Sequence, residues 1–189
     1  MLKARRTGLR AIEPTDLEPL RAWRNDPDLR QYFREYREIS PDSQKRWYDT
    51  VVLGDDRTRM FAIVELTSGR LLGACGLCWI DWLRRSADFS IYIGADGLYI
   101  DEVFATEAAR LLLRYGFDEL GLHRVWAEIY AIDAPKREFL PSLGFQLEGR
   151  LREAHFTNGQ WVDSLFYGLL AKEYAPVGLG LPSGGDKPA

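Results

Sequence analysis

The chain has 189 residues and a mass of 21.7 kDa, a size that suits one domain with a substantial hydrophobic core. Apolar residues make up 46% of it and charged residues 28%, a balance that excludes a disordered or collagen-like protein. The net charge of −3 gives no general basic field for nucleic acid, and no apolar run reaches the ~18 residues of a membrane helix. We therefore expect a cytoplasmic protein without a nucleic-acid or membrane partner.

The first half of the chain predicts a strand, two helices and a three-stranded meander. Residues 7–13 are typical of a short strand, and Thr15 with Glu18 predicts a capping box that opens a helix. A second helix is expected after Ser40, because a serine cap followed by proline is a common helix start. The three apolar runs that predict the meander strands are 60–66, 70–78 and 87–94.

The second half predicts two helices, a strand and a closing hairpin. Apolar residues at helical spacing indicate a long helix over 104–120, with Gly121 directly after its end. The pair Asn158-Gly159 is a strong two-residue turn signal. The remaining elements are expected at 125–131 for the strand, 136–143 for the short helix, and 145–156 with 161–170 for the hairpin.

This order of elements predicts an α+β fold, with a mainly antiparallel sheet of about seven strands and about four helices. We expect a single domain over residues 1–175, followed by a disordered tail at 176–189 that is rich in glycine, proline and serine.

The two cysteines and two histidines do not predict a metal site. Cys75 and Cys78 lie three residues apart in a strand-like run, so their side chains should point to opposite faces of a sheet as inert thiols. His123 and His155 are distant in sequence with no matching ligand spacing, and His155 is expected on a strand face.

Eight short motifs follow one another along the chain in a characteristic order: Trp23-Arg24-Asn25, residues 71–77, residues 86–94, Ala105-Thr106-Glu107-Ala108, residues 121–125, Leu143-Gly144-Phe145, residues 149–153 and the Asn158-Gly159 turn. With these motifs in this order, the chain resembles the GNAT acyltransferase superfamily, in the branch of the ribosomal-protein alanine N-acetyltransferases. The resemblance covers about residues 8–174.

The resemblance implies a GNAT-like sheet and transfer of an acetyl group from acetyl-CoA to a primary amine of a small molecule or a peptide terminus. In that family two neighbouring strands splay apart, and pantetheine pairs with the exposed edge, which corresponds here to Ile91-Tyr92-Ile93. The pyrophosphate lies on amides at the start of the next helix, here the segment Val103, Phe104, Ala105 and Thr106. Asp133 stands where the family tends to hold the cofactor, and Lys136 is a cation that would attract phosphate.

Two departures from the family pattern concern the cofactor. The phosphate loop Gln/Arg-x-x-Gly-x-Gly/Ala reads I-D-E-V-F-A here, so that Val103 replaces a glycine where the backbone must approach phosphate. Asp101 and Glu102 place carboxylates in the same loop, and two unit charges ~4 Å apart repel by about 4 kcal/mol at an effective dielectric of 20. In the last helix, Leu140 replaces the tyrosine that often protonates the departing thiolate in the family.

Two acidic residues are candidates for the catalytic base. Strand alternation places Glu128 on one face with Trp126 and Tyr130, where burial among aromatic rings would raise its pKa toward the working range of a base. The resemblance aligns Glu128 with a glutamate that is the general base in some members of the branch. The alternative is a structural glutamate tied by an arginine such as Arg124 or Arg152. Asp88, on the last meander strand, is the second candidate.

The acceptor pocket is expected around the first two helices, as in the family that the chain resembles. Arginines beside aromatic residues would suit an acceptor that carries a carboxylate or phosphate. The predicted pocket residues are Trp23, Arg24, Asn25, Tyr32, Arg37 and Trp79.

The leading hypothesis is therefore an acyl-CoA-dependent N-acyltransferase with Glu128 or Asp88 as base. One alternative is a GNAT-fold protein that has lost acetyl-CoA binding and acts as a binding or regulatory module. Another is non-acetyl chemistry in the same cleft. Members of the family that the chain resembles often dimerise through the terminal hairpin or a sheet edge, so the resemblance leaves the oligomeric state open between a monomer and a homodimer.

Overall fold

The computed structural model describes residues 1–175 of the chain, and the tail expected at 176–189 lies outside the described residues. The strands are β1 (Leu2–Lys3), β2 (Thr7–Arg10), β3 (Arg59–Glu65), β4 (Leu71–Asp81), β5 (Ser86–Ile93), β6 (Arg124–Tyr130), β7 (Gln146–Thr157) and β8 (Gln160–Leu170). The helices are α1 (Leu17–Asn25), α2 (Pro27–Arg30), α3 (Pro41–Trp47), α4 (Phe104–Arg114) and α5 (Ala134–Ser142). None of the helices in this part of the chain has the length and apolar character needed to cross a bilayer.

The eight strands form one sheet in the order β1-β2-β3-β4-β5-β6-β8-β7, and β5 with β6 is its one parallel pair within the described residues. The predicted α+β fold with a mainly antiparallel sheet is therefore confirmed. β1 and α2 were not predicted, because two or four residues are too few to produce a periodic pattern. The hairpin turn formed as expected, with positive φ at both Asn158 and Gly159.

Helix starts follow local capping rules, with one difference from the prediction. Ser40 caps α3 by accepting a hydrogen bond from the Ser43 N–H, as its sequence indicates. The expected capping box at Thr15 is displaced by two residues. Asp16, which is buried, accepts the Glu13 N–H and an ion pair from Arg10, so a short 3₁₀ turn precedes α1.

Helices cover both faces of the sheet. On one face, α4 and α5 pack on the larger core; alanines and leucines of α4, such as Ala108 and Leu112, are fully buried there. On the other face, α1 to α3 cover a smaller core around Leu20 and Tyr92. Alternate residues of one central strand therefore face different helix layers.

The two parallel strands separate halfway along the sheet. β5 and β6 pair only from Ser86 opposite Arg124 to Asp88 opposite Trp126. Beyond that point β5 continues on β4 as far as Ile93, and β6 continues on β8 as far as its own last residue. The edge of β5 that faces β6 is therefore open after Asp88.

The backbone groups at the open edge follow from strand alternation. Gly94 donates its N–H to Leu72 on β4, and the preceding Ile93 donates in the opposite direction, to the carbonyl of Tyr99. Because successive N–H groups alternate between the two sides of a strand, those of Phe89 and Ile91 point into the gap.

Gly73 lets β4 approach β5 closely behind this open edge, and Gly73→Ala tests that approach. A Cβ at residue 73 would lie 2.1 Å from the Tyr92 carbonyl oxygen and 2.9 Å from the Ile93 Cα, and backbone atoms cannot move aside cheaply. We expect Gly73→Ala to lower the free energy of unfolding by about 2 kcal/mol or more in urea denaturation. Gly149→Ala is the matched control, because a Cβ there meets nothing within 4 Å and the expected change is within about 0.5 kcal/mol. Equal losses in the two variants would contradict the close approach.

Candidate active site

The point where β5 and β6 part is marked by two carboxylates. Asp88 is the last residue of β5 that pairs with β6, and Glu128 lies on β6 two residues beyond Trp126, which is the partner of Asp88. Both side chains lie on the face covered by α1 to α3, because Arg34, from the segment between α2 and α3, contacts both. The alternation predicted for β6 therefore directs Glu128 to this site.

Arg34 bridges the two carboxylates. Its Nη1 is 3.1 Å from Asp88 Oδ2, and its Nη2 is 3.4 Å from Glu128 Oε2. The guanidinium also lies over the ring of Trp79, 5.0 Å from the ring centroid. Two anions and the face of an indole thus surround one cation, an arrangement that favours positive charge at this position.

An irregular strand end places Trp79 under the guanidinium. The register of β4 against β5 shifts between Cys78 and Asp81, and Trp79 has a φ of 50°. A left-handed conformation at a residue with a large side chain costs about 1–2 kcal/mol. The ring stacks on Trp126 with centroids 6.1 Å apart, so packing holds the strained residue at the edge of the site.

Glu128 is fixed by hydrogen bonds from the last hairpin. The buried Ser164 hydroxyl donates to Glu128 Oε1 at 2.5 Å, and His155 Nε2 lies 3.1 Å from the same oxygen. The register of β7 on β8 runs from Leu151 opposite Ser164 to His155 opposite Val162, so β7 carries two extra residues there. This bulge turns His155 toward Glu128 and against the ring of Tyr130.

The two carboxylates differ in their protonation behaviour. Burial raises the pKa of Asp88 to about 6 although Arg34 opposes the shift, and Asp88 Oδ1 has no hydrogen-bond partner among residues 1–175. Burial also acts to raise the pKa of Glu128, but hydrogen bonds from Ser164 and His155 and the charge of Arg34 outweigh it. The pKa of Glu128 therefore lies below its ordinary value. Asp88 is better suited to accept a proton near neutral pH, and Glu128 to remain an anion.

A second polar cluster lies at the start of α5. The Tyr99 hydroxyl donates to Asp133 Oδ2 at 2.7 Å, and Asp133 also caps α5 by accepting the Lys136 N–H. The Lys136 amino group is 5.2 Å from the centre of the Tyr99 ring. The Tyr32 ring stacks on the Tyr99 ring, with the two centroids 4.7 Å apart. Burial lowers the pKa of Lys136 despite the nearby carboxylates. This cluster thus holds a buried anion and a partly buried cation near the end of the open edge.

The loop before α4 contains a carboxylate bound to the start of that helix. Asp101 Oδ2 accepts the N–H groups of Val103 and Phe104 at 2.9 and 2.8 Å, and Asp101 Oδ1 accepts that of Ala105 at 2.7 Å. Three of the amides that an anionic ligand would use are therefore bonded within the chain.

The residues predicted for the acceptor pocket do not all lie together. Trp79 borders the Arg34 site, and Tyr32 belongs to the Tyr99 cluster. Arg24 and Arg37 line a separate cavity of about 350 Å³ between α1, α3 and the sheet. The other two predicted residues have structural contacts: Asn25 binds both backbone groups of Ile39, and the Trp23 ring fills the space beside Gly94.

Arg34, Ser164 and His155 are the contacts of the two carboxylates that sequence reasoning did not assign to the site. Arg34 is one arginine among several in its region, and no periodicity distinguishes it. Of the two arginines suggested as partners for Glu128, Arg124 pairs with Glu148 instead. Leu140, in the family's tyrosine position, is buried in the core.

The two cysteines lie as predicted. Cys75 is buried in the larger core, and burial raises the pKa of Cys78 to about 12. Both are free thiols and neither is activated for chemistry.

Comparisons with known proteins identify the family. Residues 6–146 match the family described as acetyltransferase (GNAT) domain. The chain is 30% identical over 182 residues to an uncharacterized N-acetyltransferase, p20, of Bacillus licheniformis, covering 92% of this chain and 98% of the relative. It is also 30% identical over 167 residues to a spermidine N(1)-acetyltransferase of Vibrio cholerae, covering 88% and 94% of the two chains.

A solved structure agrees with these relatives. A spermidine N-acetyltransferase of Vibrio cholerae in complex with CoA and spermine superimposes with a TM-score of 0.82 at 27% identity, covering 89% of this chain and 98% of that one. The chain belongs to the GNAT acetyltransferase family. It is an N-acetyltransferase that transfers an acetyl group from acetyl-CoA to an amine, which confirms the leading function expected from the sequence.

One half of the acetyl-CoA site fits the cofactor. The open edge of β5 presents the N–H groups of Phe89 and Ile91 beside Asp88, where an extended amide-containing chain can pair with the strand. The start of α4 fits less well, because Asp101 is bound to its amides.

The raised pKa of Asp88 predicts a pH-dependent gain in stability for Asp88→Asn. The carboxyl titrates at about 6 in the folded chain and at 3.8 when it is freely exposed to water, so folded wild-type protein loses stability as the pH rises through this window. In urea denaturation, the free energy of unfolding of Asp88→Asn should exceed that of wild type by up to about 3 kcal/mol at pH 8, and the two should be nearly equal below pH ~4.

Asp81→Asn is the control of opposite sign. A backbone hydrogen bond from Arg84 and its side chain hold the pKa of Asp81 below its ordinary value of 3.8, so this variant should fall behind wild type as the pH rises toward about 4 and then differ from it by a constant amount up to pH 8. A constant difference between Asp88→Asn and wild type across this range would contradict the raised pKa.

Proposed function

We propose that this GNAT enzyme acetylates small cationic amines of the diamine or polyamine class, with Asp88 as the general base and Glu128 as the residue that binds the ammonium group. The observation that carries the proposal is the position of Arg34, whose guanidinium lies between Asp88, Glu128 and the ring of Trp79. A site that holds an internal cation in this way has the charge and the aromatic surface to hold a cationic substrate.

A cavity provides the entrance to this site. It has a volume of about 530 Å³ and is lined by residues of the segment after α2 and of the last hairpin, among them Arg34, Tyr130, His155 and Asn158. It reaches Arg34 and His155, two of the three side chains that contact Glu128. An acceptor entering here would meet Glu128 first and would displace the Arg34 side chain, which is about one-third exposed.

The roles of the two carboxylates follow from their environments. Glu128 remains charged because Ser164 and His155 stabilise its anion, so it would hold the acceptor as a cation. Asp88 has an unbonded oxygen and a pKa of about 6, so its Oδ1 would take the proton that the reacting nitrogen loses. Deep burial of Asp88 keeps water away from that oxygen.

Acetyl-CoA, when bound, supplies the thioester whose acetyl group the amine accepts. Residues of β5 would hold its pantetheine arm, because the N–H of Ile91 points into the gap. The N–H of Ile93 already donates to the Tyr99 carbonyl, and Tyr92 pairs with β4. Asp133 and Lys136 lie at the far end of this edge. We also propose a cytoplasmic location, which suits an enzyme with two free cysteines.

An acceptor screen tests the substrate class and the branch of the family. Purified protein should acetylate spermidine or a short diamine with a kcat/KM at least about tenfold above that for a peptide beginning with alanine, because two carboxylates favour a second positive charge. A preference for the peptide would overturn the proposal and support the ribosomal-protein branch that the sequence motifs resemble.

Two variants separate the roles of the carboxylates. Asp88→Asn should lower kcat by about 10²-fold or more with a small change in the amine KM, since it removes the proton acceptor. Glu128→Gln should raise the amine KM by about tenfold or more. Glu148→Gln is the matched control, because Glu148 pairs with Arg124 on the surface and should leave both parameters unchanged. Exchanged effects of the first two variants would reverse the assigned roles.

Arg34→Met tests whether the internal cation competes with the acceptor. Loss of the guanidinium should lower the amine KM several-fold and raise the apparent pKa of the rate profile above about 6, since Arg34 lowers the pKa of Asp88. Arg70→Met, which removes an exposed ion pair with Asp96 and does not line the entrance cavity, should change neither. An unchanged KM in Arg34→Met would show that Arg34 does not occupy the acceptor site.

A further inference from the structure

We propose that Asp101 is an internal anion in the place of the pyrophosphate, so that this enzyme binds its acyl donor mainly through the pantetheine arm. The proposal concerns the donor and is independent of the acceptor class proposed above. It rests on the geometry of one carboxylate at the start of α4.

Both oxygens of Asp101 are used in this contact. Oδ2 accepts from Val103 and Phe104, and Oδ1 accepts from Ala105, all within 2.9 Å. Val103 is the N-cap of the eleven-residue helix α4, and Phe104 and Ala105 begin its first turn, where the helix dipole favours an anion. The carboxylate thus satisfies the same donors that a phosphate oxygen would satisfy.

The hydrogen bonds to the start of α4 are the polar contacts of the Asp101 side chain within residues 1–175. Asp101 is half-buried and forms no ion pair within residues 1–175. Arg6 lies near this turn, but its guanidinium is placed over the ring of Phe104, 5.0 Å from the centroid. Asp101 is therefore held by the helix amides themselves.

The neighbouring residues oppose a second anion in the same place. Glu102 adds another carboxylate to the loop, and Val103 carries a branched Cβ where the family has glycine. To use these amides, a pyrophosphate would have to break three charge-assisted hydrogen bonds and bring its charge beside two carboxylates. The open edge of β5 carries no such obstacle. The adenosine and phosphate portion of CoA should therefore add little to affinity.

Calorimetric titration with CoA and with pantetheine tests this directly, because pantetheine lacks the pyrophosphate and the nucleotide. For the wild-type protein we expect dissociation constants within about threefold of each other. Asp101→Ala frees the three amides and should strengthen CoA binding by at least tenfold, about 1.4 kcal/mol, while pantetheine binding stays the same.

Glu102→Ala is the matched control for charge. It removes one carboxylate from the adjacent residue, which is exposed and accepts no hydrogen bond from the amides of the α4 first turn. It should strengthen CoA binding by no more than about threefold. An equal gain in Glu102→Ala and Asp101→Ala would overturn the proposal, because simple charge repulsion would then explain the effect.

Two further results would also overturn it: wild-type protein that binds CoA a hundredfold more tightly than pantetheine, or an Asp101→Ala variant whose CoA affinity is unchanged or weaker. Asp101→Asn guards against loss of the helix cap, since one amide oxygen remains to accept an N–H while the charge is removed. Unchanged pantetheine binding and an unchanged thermal transition report that each variant is folded. The wild-type ratio tests the proposal without any substitution.

Discussion

The separation of β5 and β6 is the constraint on which the site depends. Three paired positions, ending at Asp88 and Trp126, bring the two strands together, and beyond them each strand continues on a different neighbour. The separation opens an edge whose N–H groups are free for a ligand, and it brings side chains from both strands to one point. Asp88 lies at the apex of the gap because it belongs to the last pair. Its burial, and hence its raised pKa, follows from that position.

Electrostatics at the apex distinguish the two carboxylates. Both contact Arg34, but only Glu128 also receives hydrogen bonds from the last hairpin, and these keep its anion stable. The bulge in β7 that aims His155 and the strained Trp79 at the end of β4 are local irregularities of otherwise regular strands. Both irregularities face this one site. The two irregularities cost conformational free energy, and what they provide is the placement of His155 and Trp79 around the cation site.

The sequence could predict those parts of the structure that follow from short-range patterns. The Ser40 cap of α3, the Asn158-Gly159 turn and the face of β6 that bears Glu128 all depend on residues close to one another in the chain. Arg34 could not be found in this way, because its contacts with Asp88 and Glu128 span 54 and 94 residues of sequence. Nearness in sequence also misplaced some of the predicted pocket residues. Arg24 and Arg37 are close in sequence to Tyr32 but line a different cavity.

The loop before α4 shows how one sequence feature acquires its meaning from geometry. Carboxylates in a phosphate loop predict repulsion of the cofactor, and that reasoning treats them as fixed charges. In the structure Asp101 instead takes the place of the ligand. The N–H groups at a helix start stabilise any anion that binds them. A carboxylate of the same loop competes well for them because its effective concentration there is high. Glu102, one residue away, does not reach these amides. Asp101 and Glu102 thus differ in hydrogen bonding rather than in charge. Only the hydrogen bonds of Asp101 occupy the amides that the pyrophosphate of an acyl donor would otherwise bind.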